Sequence, residues 1–168
     1  MKRKNIIFLD IDGVLAGYEY LKTGKGFIDP ECVKKVNRLE EFDAEIVITS
    51  SWGYDDGRTE KSLRACGLTL PIIGYTQRFY ADWFCRGNEI EKWLHDNCGG
   101  MGTKYGVDEF GVPYYKRNHK EDIDYEYIVL DDDSDMLLGQ KDNFIKVNRE
   151  TGITDEDIEK CKQIFLEN

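Results

Sequence analysis

Asp10 and Asp12 stand two residues apart ahead of Gly13, and the four residues before them, Ile6-Ile7-Phe8-Leu9, are all apolar. Four apolar residues in a row, without helical spacing, read as a strand buried on both faces of a parallel sheet. Such a strand delivers Asp10 to its carboxyl end, the edge at which open α/β sheets bind ligands. Asp12 has left the strand and is free to curl back over the same spot, with Gly13 supplying the freedom that turn needs. Taken alone, D-x-D-G is a strand followed by an acidic turn. Two later runs change that reading: Ala44-Glu45-Ile46-Val47-Ile48 ends in Thr49-Ser50, and Tyr127-Ile128-Val129-Leu130 ends in Asp131-Asp132.

Carboxylates converging on one point repel one another, and burial raises their pKa values unless something offsets the charge. A hard divalent cation does so, and Mg²⁺ prefers a few carboxylates together with water and substrate phosphate. Asp10 with Asp131 or Asp132 makes such a site. With its charge screened, Asp10 becomes a candidate carboxylate nucleophile toward phosphorus. Asp12 is then the candidate acid/base, protonating the leaving oxygen and later deprotonating water. The outer oxygens of a transferring phosphoryl group need donors and a cation around them. Thr49 and the backbone amides after it are the donors, and Arg86, at the start of a helix, is the cation.

The elements that position these residues follow from the pattern. Asp29-Pro30-Glu31 opens a helix over residues 30 to 42, with Val33, Val36 and Leu39 on its apolar face. Thr59 to Cys66 is a short helix closed by Gly67. Leu70 to Gly74 is a strand at an edge, because Pro71 cannot donate to a ladder. Arg86-Gly87-Asn88 leads into a helix that buries Ile90, Trp93 and Leu94, with His95 near its end facing water or a carbonyl. Asn143 to Val147 is a further strand, and Thr154 with Asp157 opens the last helix. Residues 17 to 27 read as an irregular loop or small hairpin. Residues 97 to 124 form a glycine- and tyrosine-rich insertion, and no second sheet is evident. Its Lys104, Lys116, Arg117 and Lys120, balanced by Asp108, Glu109, Glu121 and Asp122, read as an exposed hairpin whose tyrosines pack. Strands alternating with helices give an α/β fold with a parallel sheet, and residues 1 to 168 fit one domain.

The net charge of −10 argues against a long nucleic-acid tract or an anionic membrane as the main partner, although a nucleic-acid end remains open. The five cysteines are an odd, widely spaced set without C-x-x-C, as expected of reduced thiols in the cytoplasm. No signal peptide or apolar span is read in the sequence.

Asp10-Ile11-Asp12-Gly13-Val14 resembles the first motif of the haloacid dehalogenase (HAD) superfamily. Ile46-Val47-Ile48-Thr49 is similar to its second motif, and Ile128-Val129-Leu130-Asp131-Asp132 to its fourth, in the family's order. The resemblance implies a Rossmann-like sheet of about five strands in the order 5-4-1-2-3. It also implies Mg²⁺-dependent phosphoaspartyl chemistry, with Asp10 as nucleophile and Asp12 as acid/base. The expected catalytic residues are Asp10, Asp12, Thr49 and Arg86; the phosphate ligands are Thr49, Ser50 and Arg86; the metal set is Asp10, Asp12, Asp131 and Asp132. Arg86 is chosen for the third motif over Lys92, which points away from the buried helix face, and over Arg78, which comes too early. Asp133 and Asp135 read as solvated turn acids, with Asp135 also a candidate neighbour of the metal. No large cap is visible, so the site is expected to be open, as in capless members acting on polymers, with residues 97 to 124 as a partial lid. The expected activity is a phosphomonoester hydrolase acting on a phosphorylated polymer or nucleic-acid end. The alternative is a non-catalytic phosphate-sensing or partner-binding domain on the same scaffold.

Overall fold

The structure is a computed structural model. It describes residues 3–49, 51–54, 57–77, 85–98, 103–107, 113–117 and 125–167, with side chains left aside at residues 53, 54, 103–107 and 113–117. In chain order the elements are β1 (Lys4–Leu9), α1 (Tyr18–Leu21), α2 (Pro30–Asn37), β2 (Ala44–Ile48), α3 (Arg58–Ala65), β3 (Ile72–Tyr75), α4 (Arg86–Cys98), β4 (Thr103–Val107), β5 (Pro113–Arg117), β6 (Tyr125–Asp131), β7 (Phe144–Lys146) and α5 (Asp155–Glu167). Five strands form one sheet in the order β3-β2-β1-β6-β7, every pair parallel. This is the expected α/β, Rossmann-like order, and Pro71 does precede an edge strand.

β1 is the sheet's centre because both of its faces are apolar. Ile7 and Leu9 join a core with Val33 and Val36 of α2, Leu63 of α3, and Ile158, Cys161 and Phe165 of α5. Ile6 and Phe8 point to the other face, where they meet Ile90 and Leu94 of α4 and Val129 of β6. Trp93 of α4 and Tyr127 of β6 each pack edge-on against Phe8, with centroids 5.6 and 5.8 Å away. Alternate side chains of one strand thus hold helices on opposite faces, which is why the run shows no polar alternation.

Capping follows the sequence closely. Asp29 accepts from the Glu31 amide at 2.9 Å and opens α2. Thr154 and Asp157 exchange hydrogen bonds at the start of α5, the Thr154 hydroxyl donating to the Asp157 carboxylate at 2.7 Å. The α2 segment tightens to a 3₁₀ turn over Arg38–Phe42. Two expectations need correction. Residues 18 to 21 form a single helical turn, with no hairpin, because the Tyr18 and Glu19 amides are already taken by the carbonyls of Arg149 and Glu150. A second sheet does exist, the antiparallel pair β4-β5 inside the 97–124 insertion. The expected charges and tyrosines of that insertion lie outside the described side chains.

Candidate active site

Register alone brings three site residues together. Leu9 pairs with Ile48 on one side and Leu130 on the other. The next residues continue the ladder, the Asp10 amide donating to the Leu130 carbonyl and the Thr49 amide to the Leu9 carbonyl, both at 3.0 Å. Asp10, Thr49 and Asp131 therefore occupy adjacent strand tips at the carboxyl edge, with exposures of 6, 2 and 0%. A carboxylate oxygen from each of Asp10, Asp131 and Asp132 lies within 4.8 Å of the others.

The chain then turns sharply. The Val14 and Leu15 amides return to the Ile11 carbonyl, and Gly13 adopts a φ of 74°. A Cβ on Gly13 would sit 2.4 Å from Asp132 Cγ. Glycine is thus required twice over, for the backbone and for the close approach of Asp132.

Asp12 is exposed at this turn, and its carboxylate stays out of the acidic group that was expected to include it. It accepts instead from Trp52 Nε1 at 3.0 Å. Trp52 is itself tied down, since the Thr59 hydroxyl of α3 donates to its carbonyl.

Arg86 begins α4 and turns back to the acids, its Nε 3.3 Å from Asp131 Oδ2 and a terminal nitrogen 3.9 Å from Glu89. Asp135 fixes the start of that helix: its carboxylate accepts from the Arg86 amide at 2.9 Å and its carbonyl from the Gly87 amide at 3.2 Å. Asp135 thus serves as a helix cap, outside the acidic group. Lys92 pairs with Asp96 at 2.5 Å on the exposed side of α4, and His95 meets the same aspartate at 3.0 Å. Ser50 and Arg78 lie outside the described residues.

The sequence reading missed two residues here, Trp52 and Arg149. Arg149 holds Asp132 through two nitrogens, both at 2.8 Å. It also lies over the Tyr18 ring, 5.9 Å from its centroid. With Lys146 and Asn148 it lines a cleft of about 650 Å³ beside Asp132 and Asp133. Each of these two missed residues lies a few residues beyond a strand run, after Thr49 and after Val147, but nothing in the local sequence says what it touches.

Electrostatics show what the site lacks. Burial, then the neighbouring Asp10, push the Asp131 carboxyl up from 3.8 to about 7, despite the Asp133 amide and Arg86. Among the described residues, three side-chain polar atoms are buried without a hydrogen-bond partner: Arg3 Nε, and in the site Thr49 Oγ1 and Asp131 Oδ2, the last facing Arg86 only as an ion pair. Buried polar atoms left in that state call for a ligand. Three clustered carboxylates with an unsatisfied oxygen suit a small, hard divalent cation, and the hydroxyl suits an anionic oxygen beside it.

A family model described as the HAD domain in Swiss Army Knife RNA repair proteins matches residues 6–108, more than half of the chain. The chain belongs to that family. No curated protein and no solved structure matches it. The match to this HAD domain takes in Asp10, Asp12, Thr49 and Arg86 and stops before Asp131 and Asp132. Those two acids reach the site through β6, which pairs with β1 along its whole length. Among the described residues no helix is long and apolar enough to cross a membrane.

Proposed function

We propose that this HAD domain is an Mg²⁺-dependent phosphomonoester hydrolase acting through an aspartyl-phosphate on Asp10, with a phosphorylated RNA end as substrate. The observation that carries the reading is the alignment of Asp10, Thr49 and Asp131 on three adjacent strand tips, with Asp132 in reach. The family's description, an RNA repair domain, supports the substrate class. Asp10, Asp131 and Asp132 would hold the cation, which supplies charge screening that lets a carboxylate approach a phosphate dianion.

The chain's own residues do the rest. Asp10 Oδ attacks phosphorus as the bond to the leaving oxygen breaks, and Asp12 gives that oxygen its proton. Water then attacks the aspartyl-phosphate while Asp12 takes a proton from it, restoring the Asp10 carboxylate and the Asp12 carboxylic acid and releasing inorganic phosphate. Thr49 Oγ1 and Arg86 meet the outer phosphoryl oxygens, where charge accumulates. Trp52 is a positioning residue, turning the Asp12 carboxyl through its Nε1 hydrogen bond.

Phosphate release from an aryl phosphate and from a phosphorylated oligoribonucleotide, with Mg²⁺ and with chelator, tests the proposal. Release that needs Mg²⁺ and disappears in Asp10→Asn is expected. Release that persists in that variant, or none from any ester, overturns it.

A further inference from the structure

The residue that holds Asp12 also forms the wall of a second cleft. Trp52 lines a space of about 350 Å³ together with Tyr20, Lys25, Phe27, Ser62 and Cys66, at the lower end of the sizes that take small ligands. Three aromatic residues line it. Phe27 is 77% exposed, a large apolar ring left in water on the wall of a concavity. Among the described residues that line it none is acidic and Lys25 contributes a positive charge, while Asp29 acts on Tyr20 and Cys66 from beside the wall. A cleft lined by aromatic rings, with a lysine on its wall, is complementary to a flat ring that carries an anionic group at one side.

Position says which part of the ligand enters. In the proposed reaction the leaving oxygen must come within hydrogen-bond reach of Asp12, and Asp12 is bonded to a wall residue of this cleft. Whatever is attached to the leaving oxygen therefore emerges beside Trp52. For a phosphorylated RNA end, that group is the terminal ribose and its base.

We propose that this cleft receives the terminal nucleoside, its base stacked against Phe27 and the neighbouring rings, with Lys25 placed for the next phosphodiester. The inference rests on the hydrolase reading and adds the recognition of the leaving group. Base–aromatic stacking tightens binding by about ten- to a hundredfold, with little dependence on which base is offered.

Equilibrium binding separates the two ideas, because it needs no turnover. In the Asp10→Asn protein with Mg²⁺, calorimetry would compare adenosine 3′-monophosphate and adenosine 5′-monophosphate with ribose 5-phosphate, which has the phosphate and lacks the base. The expected result is at least about tenfold tighter binding of one or both nucleotides. Adding Phe27→Ala, a change at an exposed side chain, should shrink that margin to about threefold or less, and Tyr20→Ala serves as a second probe. Equal affinity for nucleotide and sugar phosphate, or a margin that survives both substitutions, overturns the cleft assignment. Failure of the hydrolase reading looks different: the base margin is present, yet the wild-type chain releases phosphate from no ester. Turnover of an aryl phosphate without any base margin sinks the cleft alone.

Discussion

At the scale of single residues, Asp10 and Asp12 are two carboxylates two positions apart in different surroundings. Asp10 is buried among acids, whereas Asp12 is exposed and held by Trp52. The proposed mechanism gives them separate losses. Asp10→Asn should abolish turnover of every ester, because an amide forms no aspartyl-phosphate. Asp12→Asn should cost about a hundred- to ten-thousandfold with an alkyl phosphate and far less with an aryl phosphate, whose phenolate leaves unprotonated. Steady-state rates on the two ester types decide the matter, and equal losses across leaving groups would refute the division. Asp131 gives a second prediction. Its native carboxyl titrates near 7 and an unfolded one near 4. Between those values the native state holds a proton that the unfolded state has lost, so stability of the metal-free protein falls as pH rises, by something of order 4 kcal/mol. The destabilisation is complete above pH 7, where the ionised carboxylates most favour a cation. Melting scans of chelated protein should thus show a falling midpoint from about pH 5 to pH 8, and millimolar Mg²⁺ should raise it more at pH 8 than at pH 5. A Mg²⁺ shift independent of pH would mean that Asp131 is not a ligand.

At the scale of elements, the sequence exposed whatever depends on near neighbours. β1, β2 and β6 are apolar runs whose last residues are the chemical ones, so reading the run also located Asp10, Thr49 and Asp131. Sheet order was legible through the motifs, and Pro71 marked an edge. Apart from the local β4-β5 pair, the misses are contacts across the chain. Asp135 read as a turn acid because its partner, the first turn of α4, lies 49 residues earlier. Trp52, in a 3₁₀ turn over Ser51–Tyr54, and Arg149, in a turn after β7, lie where nothing in the local pattern says what they touch. The turn of α1 was hidden because backbone groups of the Arg149–Glu150 segment satisfy it. The Asp135 cap carries a testable consequence. Asp135→Ala removes the acceptor of the Arg86 amide and should cost about 1 kcal/mol, lowering the melting midpoint by about 2–4 °C. It should also lower kcat/KM by a similar factor for alkyl and aryl esters, since Arg86 acts on the phosphoryl oxygens and not on the leaving group. That uniform loss contrasts with Asp12→Asn. A lower midpoint with unchanged kcat/KM would mean that Arg86 keeps its place without the cap.

At the scale of the whole molecule, charge opposes the proposed substrate. The chain carries a net −10, and three described cations around the acids are already engaged, Arg86 with Asp131, Arg149 with Asp132, and Lys146 with the Ser134 hydroxyl. A protein that grips RNA along its backbone gains affinity by releasing counterions and loses it steeply with salt, by a log–log slope of about −0.7 per phosphate contact on a single strand. This chain should behave in the opposite sense. Recognition confined to the terminal phosphate, its nucleoside and the next phosphodiester leaves the rest of a long substrate in a repulsive field. The Debye length shortens from about 30 Å at 0.01 M salt to about 10 Å at 0.1 M, so added salt mainly removes repulsion from the distal phosphates. The expected result is that kcat/KM for a substrate of about ten nucleotides, divided by that for a dinucleotide, rises a few-fold over this salt range. The ratio cancels any effect of salt on the metal site or on the chemical step. A steep fall of the ratio would instead reveal a basic track along the RNA. Lys104, Lys116, Arg117 and Lys120 would be the residues to neutralise, and substituting them with glutamine should then flatten the slope.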